Sequence, residues 1–203
     1  MSRPGTKGVP RERREEQILD IATTEFGERG YAKASVAEIA SAAGVSKPLV
    51  YAYFGSRDGL HAACVHRAGK GLVDAVAAAQ SAHGAHDRAL ATLTGIFRAL
   101  DGRTQNWKIV YDPTLPRASA AFAVARHYQD ALNGMGSAGV SEVLADAGIT
   151  DPADHSLLLA LWFSVVSTTI SWWSDHPGHT PDDMTQRCLR LFTTIRATAA
   201  PRT

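Results

Sequence analysis

Cysteine is scarce in this chain. Cys64 and Cys188 lie far apart, which excludes a disulfide framework and a paired-cysteine zinc site. Charge of one sign is lacking too, since the net formal charge is only +1. No stretch alternates apolar and polar residues over strand length, so no sheet is expected. The start of the chain has no apolar leader, and the reading is a cytoplasmic protein without a signal peptide. The longest uncharged run, Ser156–Ser174, approaches a membrane span but holds seven Ser or Thr. It reads as a helix buried in protein, not lipid. There is no HExxH, nucleophile elbow, P-loop or dinucleotide fingerprint, so no enzyme and no cofactor are expected. His83/His86 and His176/His179 are spaced i,i+3 beside Gly or Pro with no thiol near and a single adjacent Asp each, too little for a metal site.

What is present is helical pattern and an uneven spread of charge. Residues 1–70 hold eleven Lys/Arg against eight Asp/Glu, whereas residues 71–203 hold ten against twelve. A basic front permits a nucleic-acid partner there. The Gly/Pro-rich opening, residues 1–10, reads as a disordered arm. Arg11 to Arg29 then carries an apolar stripe of Ile18, Ile21, Ala22 and Phe26, stopped by Gly30.

Ser35-Val36-Ala37-Glu38 has the form of a capping box, in which Ser takes an early N–H and Glu reaches back to the cap. Val36, Ile39 and Ala40 form the inner face of this short helix. Gly44 supplies a turn. Ser46 caps a third helix, with Pro48 in its first turn, where a missing N–H costs nothing. Two short helices joined by a glycine turn suggest a helix-turn-helix. With Val50 and Phe54 pointing inward, Lys47, Pro48, Tyr51 and Ala52 share the outer face. Leu49 and Tyr53 flank it. That face suits a major groove. On these residues alone, the tyrosines could equally cap a small core with their hydroxyls in water.

The run "SVAEIASAAGVSKPLVYAYFGSRDGL" (residues 35–60) resembles the DNA-binding signature of the tetracycline-repressor (TetR) family of bacterial regulators. The resemblance rests on Ile39-Ala40, Ala43-Gly44-Val45-Ser46, Tyr51-x-Tyr53-Phe54 and Arg57-Asp58 followed by Leu60. The first helix matches through Ile18-Leu19, Ala22, Phe26 and Gly30-Tyr31. Tyr53 stands where histidine is frequent, Leu49 where a small polar residue is common, and Gly55 where a basic residue is usual. The resemblance implies that Ser35 touches the DNA backbone and that Lys47, Pro48 and Leu49 read bases. It assigns Tyr51, Tyr53 and Arg57 to phosphates, and Arg11, Arg13 and Arg14 to a basic arm near the backbone or minor groove, the other reading being a solvated tail.

It also implies an all-α protein with a three-helix helix-turn-helix domain at residues 11–56. A ligand-binding and dimerisation domain would follow at 57–203. The implied function is a ligand-responsive regulator, a repressor that binds a palindromic operator in double-stranded DNA as a homodimer. A small-molecule effector of unknown identity would release it, and no membrane partner is implied. The alternative is a helical small-molecule binder or enzyme with a vestigial DNA-binding domain.

Beyond Leu60 the match is in layout. Helices are expected at about 57–80, 87–100, 103–112, 117–132, 141–147, 152–174 and 181–199, with a break at 133–139. The last two would pair with those of a second copy. Ala160, Ser164, Ser167 and Ser171 share one face of the first of these, and Met184, Cys188, Leu191, Ile195 and Thr198 stripe the second. Trp107, Tyr111, Phe122, Trp162 and Trp172 are the candidates for lining an effector pocket; the other reading of such aromatics is core.

Overall fold

A computed structural model describes residues 10–82 and 84–199, so residues 1–9 of the expected arm lie outside the described residues. Nine helices, and no strand, occur among the described residues. They are α1 Arg11–Lys33, α2 Val36–Ala42, α3 Lys47–Phe54, α4 Arg57–Ala79, α5 Ala85–Ala99, α6 Gln105–Val110, α7 Ala120–Asp146, α8 Pro152–Asp175 and α9 Pro181–Ala199. The all-α expectation holds.

The chain divides into two compact units, one of residues 1–70 and 105–130, the other of 71–104 and 131–203. Compactness therefore groups the start of α4, α6 and the start of α7 with the helix-turn-helix. The sequence-based division at residue 57 follows motif instead.

In the first unit, Ile18, Leu19, Ala22 and Phe26 of α1 are buried with Val36, Ile39 and Ala40 of α2 and Val50 of α3. Gly30 breaks the first helix at φ 72. Gly44 sits at φ 65 between α2 and α3, a conformation that residues with a Cβ resist. In the second unit α5 packs on α9. Phe97 meets Trp173 edge-on at 5.7 Å, and Leu93, Ile170, Met184 and Cys188 are buried.

Three expectations are corrected. Residues 133–139 do not break a helix, because α7 runs unbroken through Gly134, Gly136 and Gly139. Helix glycine costs only about 1 kcal/mol each, and the bare backbone at Gly136 lies where an added Cβ would touch Leu159 and Phe163 at 3.4–3.5 Å. Packing there outweighs propensity. Second, α8 is not buried in a single copy. Leu157 is 60% and Leu161 53% exposed, although the helix is long and apolar enough to cross a membrane by length and composition. Third, the α9 stripe expected to meet a second copy is partly taken up within the chain: Met184 and Cys188 are buried, and Leu191 is exposed. The side chains of Ile195 and Thr198 lie outside the described residues, as do those of His83 and His86.

Candidate nucleic-acid interface

α3 begins as its sequence demands. The Ser46 hydroxyl oxygen accepts the Leu49 N–H at 3.3 Å, and Pro48 sits in the first turn. Val50 is fully buried and anchors the helix. Lys47, Pro48 and Ala52 are exposed, while Leu49, Tyr51, Tyr53 and Phe54 are partly exposed. Phe54 is thus not the second core anchor expected of it. Its ring lies 6.1 Å from that of Tyr53, so both aromatics spread across the end of the helix. Each tyrosine carries a cation near its ring: Lys47 stands 5.7 Å from the Tyr51 centroid and Arg11 5.1 Å from that of Tyr53. A cation over an aromatic face is attracted by the ring quadrupole. The surface so formed presents positive charge and two phenols on one helix, a combination suited to phosphate and base edges.

α2 is held less simply than a capping box would hold it. Ser35 accepts the Glu38 N–H at 3.3 Å, as expected. The reciprocal half is absent: the Ser35 N–H donates to Glu25 of α1 at 3.1 Å. Glu38 instead meets Arg29 at 2.9 Å, and Arg29 also meets Glu25 at 3.3 Å. α1 thereby supplies the carboxylate that the local motif was expected to supply. With its hydroxyl and N–H both engaged in capping contacts, Ser35 serves as a hinge pin of the reading head.

Arg57 is turned inward. Its guanidinium donates to the Tyr31 carbonyl and lies 4.6 Å from the Tyr31 ring centroid. It holds α4 to α1, where sequence reading put it on a phosphate. Ser56 caps α4 by accepting the Gly59 N–H at 2.9 Å. Any Cβ at Gly59 would collide with the Phe54 carbonyl, so the tight passage from α3 to α4 requires glycine. Next comes His61, fully buried between Phe26 at 4.2 Å and Tyr31 at 5.2 Å, with neither ring nitrogen hydrogen-bonded. Burial pulls its pKa down to about 4, against the opposing pull of Asp112 and Asp58, so it is neutral at pH 7. Asp58 accepts the Ala120 N–H at 2.9 Å, and Asp112 takes the Tyr31 N–H at 3.5 Å. Farther along α4, Arg67 bridges to Asp20 of α1 at 2.8 Å. Burial pushes the Cys64 thiol up to about 12, which makes it inert. The contacts of Glu25, Tyr31, His61 and Asp112 were not legible in the sequence, because each acts through partners distant in the chain.

Residues 18–64 match the sequence pattern of bacterial regulatory proteins, tetR family. Residues 18–64 are thus a DNA-binding domain of the tetR-family type. It is 32% identical over 121 residues to the HTH-type transcriptional activator FasR of Mycolicibacterium smegmatis, a match over 58% of this chain and 55% of that protein. The chain thus spans about half the length of that curated relative. The fold is shared with a TetR-like transcriptional regulator from Rhodococcus sp. RHA1 at TM-score 0.69 and 24% identity, over 88% of this chain and 92% of that one. It is also shared with FadR from Bacillus subtilis, solved in complex with stearoyl-CoA, at TM-score 0.65 and 17% identity, over 87% and 96%.

The aromatic candidates fall in both compact units. Trp107 is buried and stacks on Tyr111 at 4.3 Å, and Phe122 is partly exposed; all three belong to the first compact unit. Trp162 and Trp172 belong to the second. Trp172 is 36% exposed, sandwiched with His176 at 4.0 Å and His179 at 5.3 Å, with Arg187 5.1 Å from its centroid. A groove of about 480 Å³ runs between α4 and α5, lined by Ala75, Ala79, Leu90, Thr94, Gly95 and Arg98 and by none of the five aromatics.

Proposed function

We propose that this chain is a ligand-responsive transcriptional regulator that reads duplex DNA with α2 and α3. The observation that carries the reading is the build of α3. One residue, Val50, is sealed in the core, while Lys47, Pro48, Tyr51 and Tyr53 form an outward face with two cations on two phenols. In this reading Lys47, Pro48 and Leu49 meet base edges in the major groove, and Tyr51 and Tyr53 donate to phosphates. Ser35 and the start of α2 lie along the backbone. Arg57 stays within the domain as a brace.

The protein acts as a homodimer through α8 and α9, in the cytoplasm, on a palindromic operator. Support for the dimer comes from the exposed apolar face of α8. Leu157 and Leu161 stand out beside Ala160 and Ser164, small residues that let helices approach closely, and Leu191 of α9 is exposed too. Half-sites would lie about 34–36 Å apart or a multiple of it. An effector that binds the DNA-incompetent state tenfold better shifts the equilibrium by about 1.4 kcal/mol. α4 contributes residues to both compact units and is the element we assign to carry that shift. Repression is the direction we assign; it is decided by a reporter gene placed behind the selected operator, and activation there would reverse it.

The first test is selection of bound duplexes from random-sequence DNA at physiological salt. Enrichment of one palindrome supports the reading; binding without enrichment, or none, overturns it. On the selected duplex, Lys47→Ala and Tyr51→Phe each weaken binding. Leu161→Glu yields monomers in sedimentation with the helical signal retained, and a dimer that survives it overturns the α8 assignment. Candidate effectors can be screened for release of DNA, starting with fatty acyl-CoA because of the stearoyl-CoA seen with FadR.

A further inference from the structure

We infer that Arg11, the first residue of α1, is a DNA-phosphate contact that works as a unit with Tyr53; this rests on the regulator reading above. The two residues sit at opposite ends of the helix-turn-helix sequence. Arg11 opens α1, and Tyr53 is the last residue but one of α3. The fold brings them together, with the guanidinium carbon 5.1 Å from the ring centroid. Arg11 is exposed and Tyr53 partly exposed, so the pair does not build the core.

The chemistry points outward. A guanidinium has five N–H donors in one plane and no acceptor, and a phenol has one O–H donor. A cation near the ring leaves the phenol a better donor toward an anion. One phosphate has enough acceptor oxygens to take both groups. Lys47 and Tyr51 repeat the arrangement inside α3, at 5.7 Å. The reading head therefore carries two phenol-and-cation pairs. The first is built from one helix, and the second is closed only when α1 docks beside the end of α3. Glu12, exposed beside Arg11, opposes it with one negative charge and does not remove the positive balance of residues 1–14, five Lys/Arg to one acid.

Arg11 thus has two effects. It supplies a charge to the backbone, and it orients the Tyr53 ring for its own contact. A phosphate contact is sequence-independent and salt-dependent, so its loss weakens all duplexes alike and lowers the salt slope by about 1 per contact.

The test measures affinity of the full-length protein for the selected duplex and for a mismatched duplex, by fluorescence anisotropy, across a salt series. Arg11→Ala is expected to weaken both by the same factor and to reduce the slope by roughly 2 for a dimer. Arg11→Lys restores most of the slope. Tyr53→Phe weakens binding without changing the slope, and Arg11→Ala in that background weakens it less than in the wild type. An unchanged slope for Arg11→Ala, or an equal loss from Arg13→Ala, overturns the inference while leaving the regulator reading intact. Failure of the wild type to bind either duplex overturns that reading itself.

Discussion

The two ends of this molecule are encoded differently. α2 and α3 are spelled out locally: a cap, a turn glycine, a buried valine and an outward row of polar residues occur in order within residues 35–54. α8 and α9 lie outside the helix-turn-helix signature, yet Thr180-x-x-Asp183 at their junction is the complete version of a device that α2 has only in part. The Thr180 hydroxyl accepts the Asp183 N–H at 3.2 Å, and Asp183 accepts the Thr180 N–H at 2.9 Å. Those bonds hold the Asp183 carboxyl below its usual pKa. At α2 the reciprocal acid comes from Glu25, ten residues earlier. The difference teaches that a local motif marks where a helix starts, whereas tertiary packing chooses which side chain completes it.

Four measurements sharpen or break that contrast, in falling order of effect. If the second region depends on packing, Phe97→Ala, which empties a site with no exposure and removes the edge-on contact with Trp173, should cost about 3–5 kcal/mol in chemical denaturation. A loss under 1 kcal/mol would mean that packing there is loose.

The first compact unit buries His61 with neither ring nitrogen hydrogen-bonded. Its folded pKa, about 4, lies below the unfolded 6.5. The neutral form is therefore favoured in the fold. Stability is full above pH 6.5 and falls as pH drops toward 4, by about 3 kcal/mol from this group alone. His61→Leu should flatten that part of the stability–pH profile, and an unaltered profile would assign acid sensitivity elsewhere.

Ser46→Ala removes the acceptor for the Leu49 N–H and should cost about 1 kcal/mol. Its DNA affinity should fall more than its melting temperature suggests, since α3 carries the reading face. Gly134→Ala is the smallest and runs the other way. Nothing lies within 4 Å of an added Cβ there, so the substitution should stabilise α7 by up to about 1 kcal/mol. Destabilisation would show that the glycine is needed for something other than helix continuity.

How much was legible follows the same divide. The helix order, Gly30, Gly44, Ser46 and Pro48 could be read because each acts on its nearest neighbours. The inward turn of Arg57 could not, since its acceptor is the carbonyl of Tyr31. Nor could the continuity of α7, where glycines that mark a break in isolation are overruled by Leu159 and Phe163. The partners of the five aromatics were not legible either: Trp107 stacks on Tyr111, and Trp172 stacks on two histidines near it in sequence.

The bond from Glu25 to the Ser35 N–H has a consequence for anyone building chimaeras. A graft that exchanges only residues 35–54 between regulators would deliver a complete reading sequence onto a foreign α1. Unless that α1 offers a carboxylate at the position of Glu25, and an arginine to match Arg29, the transplanted head arrives without its alignment pin. The reading sequence therefore has to travel with α1.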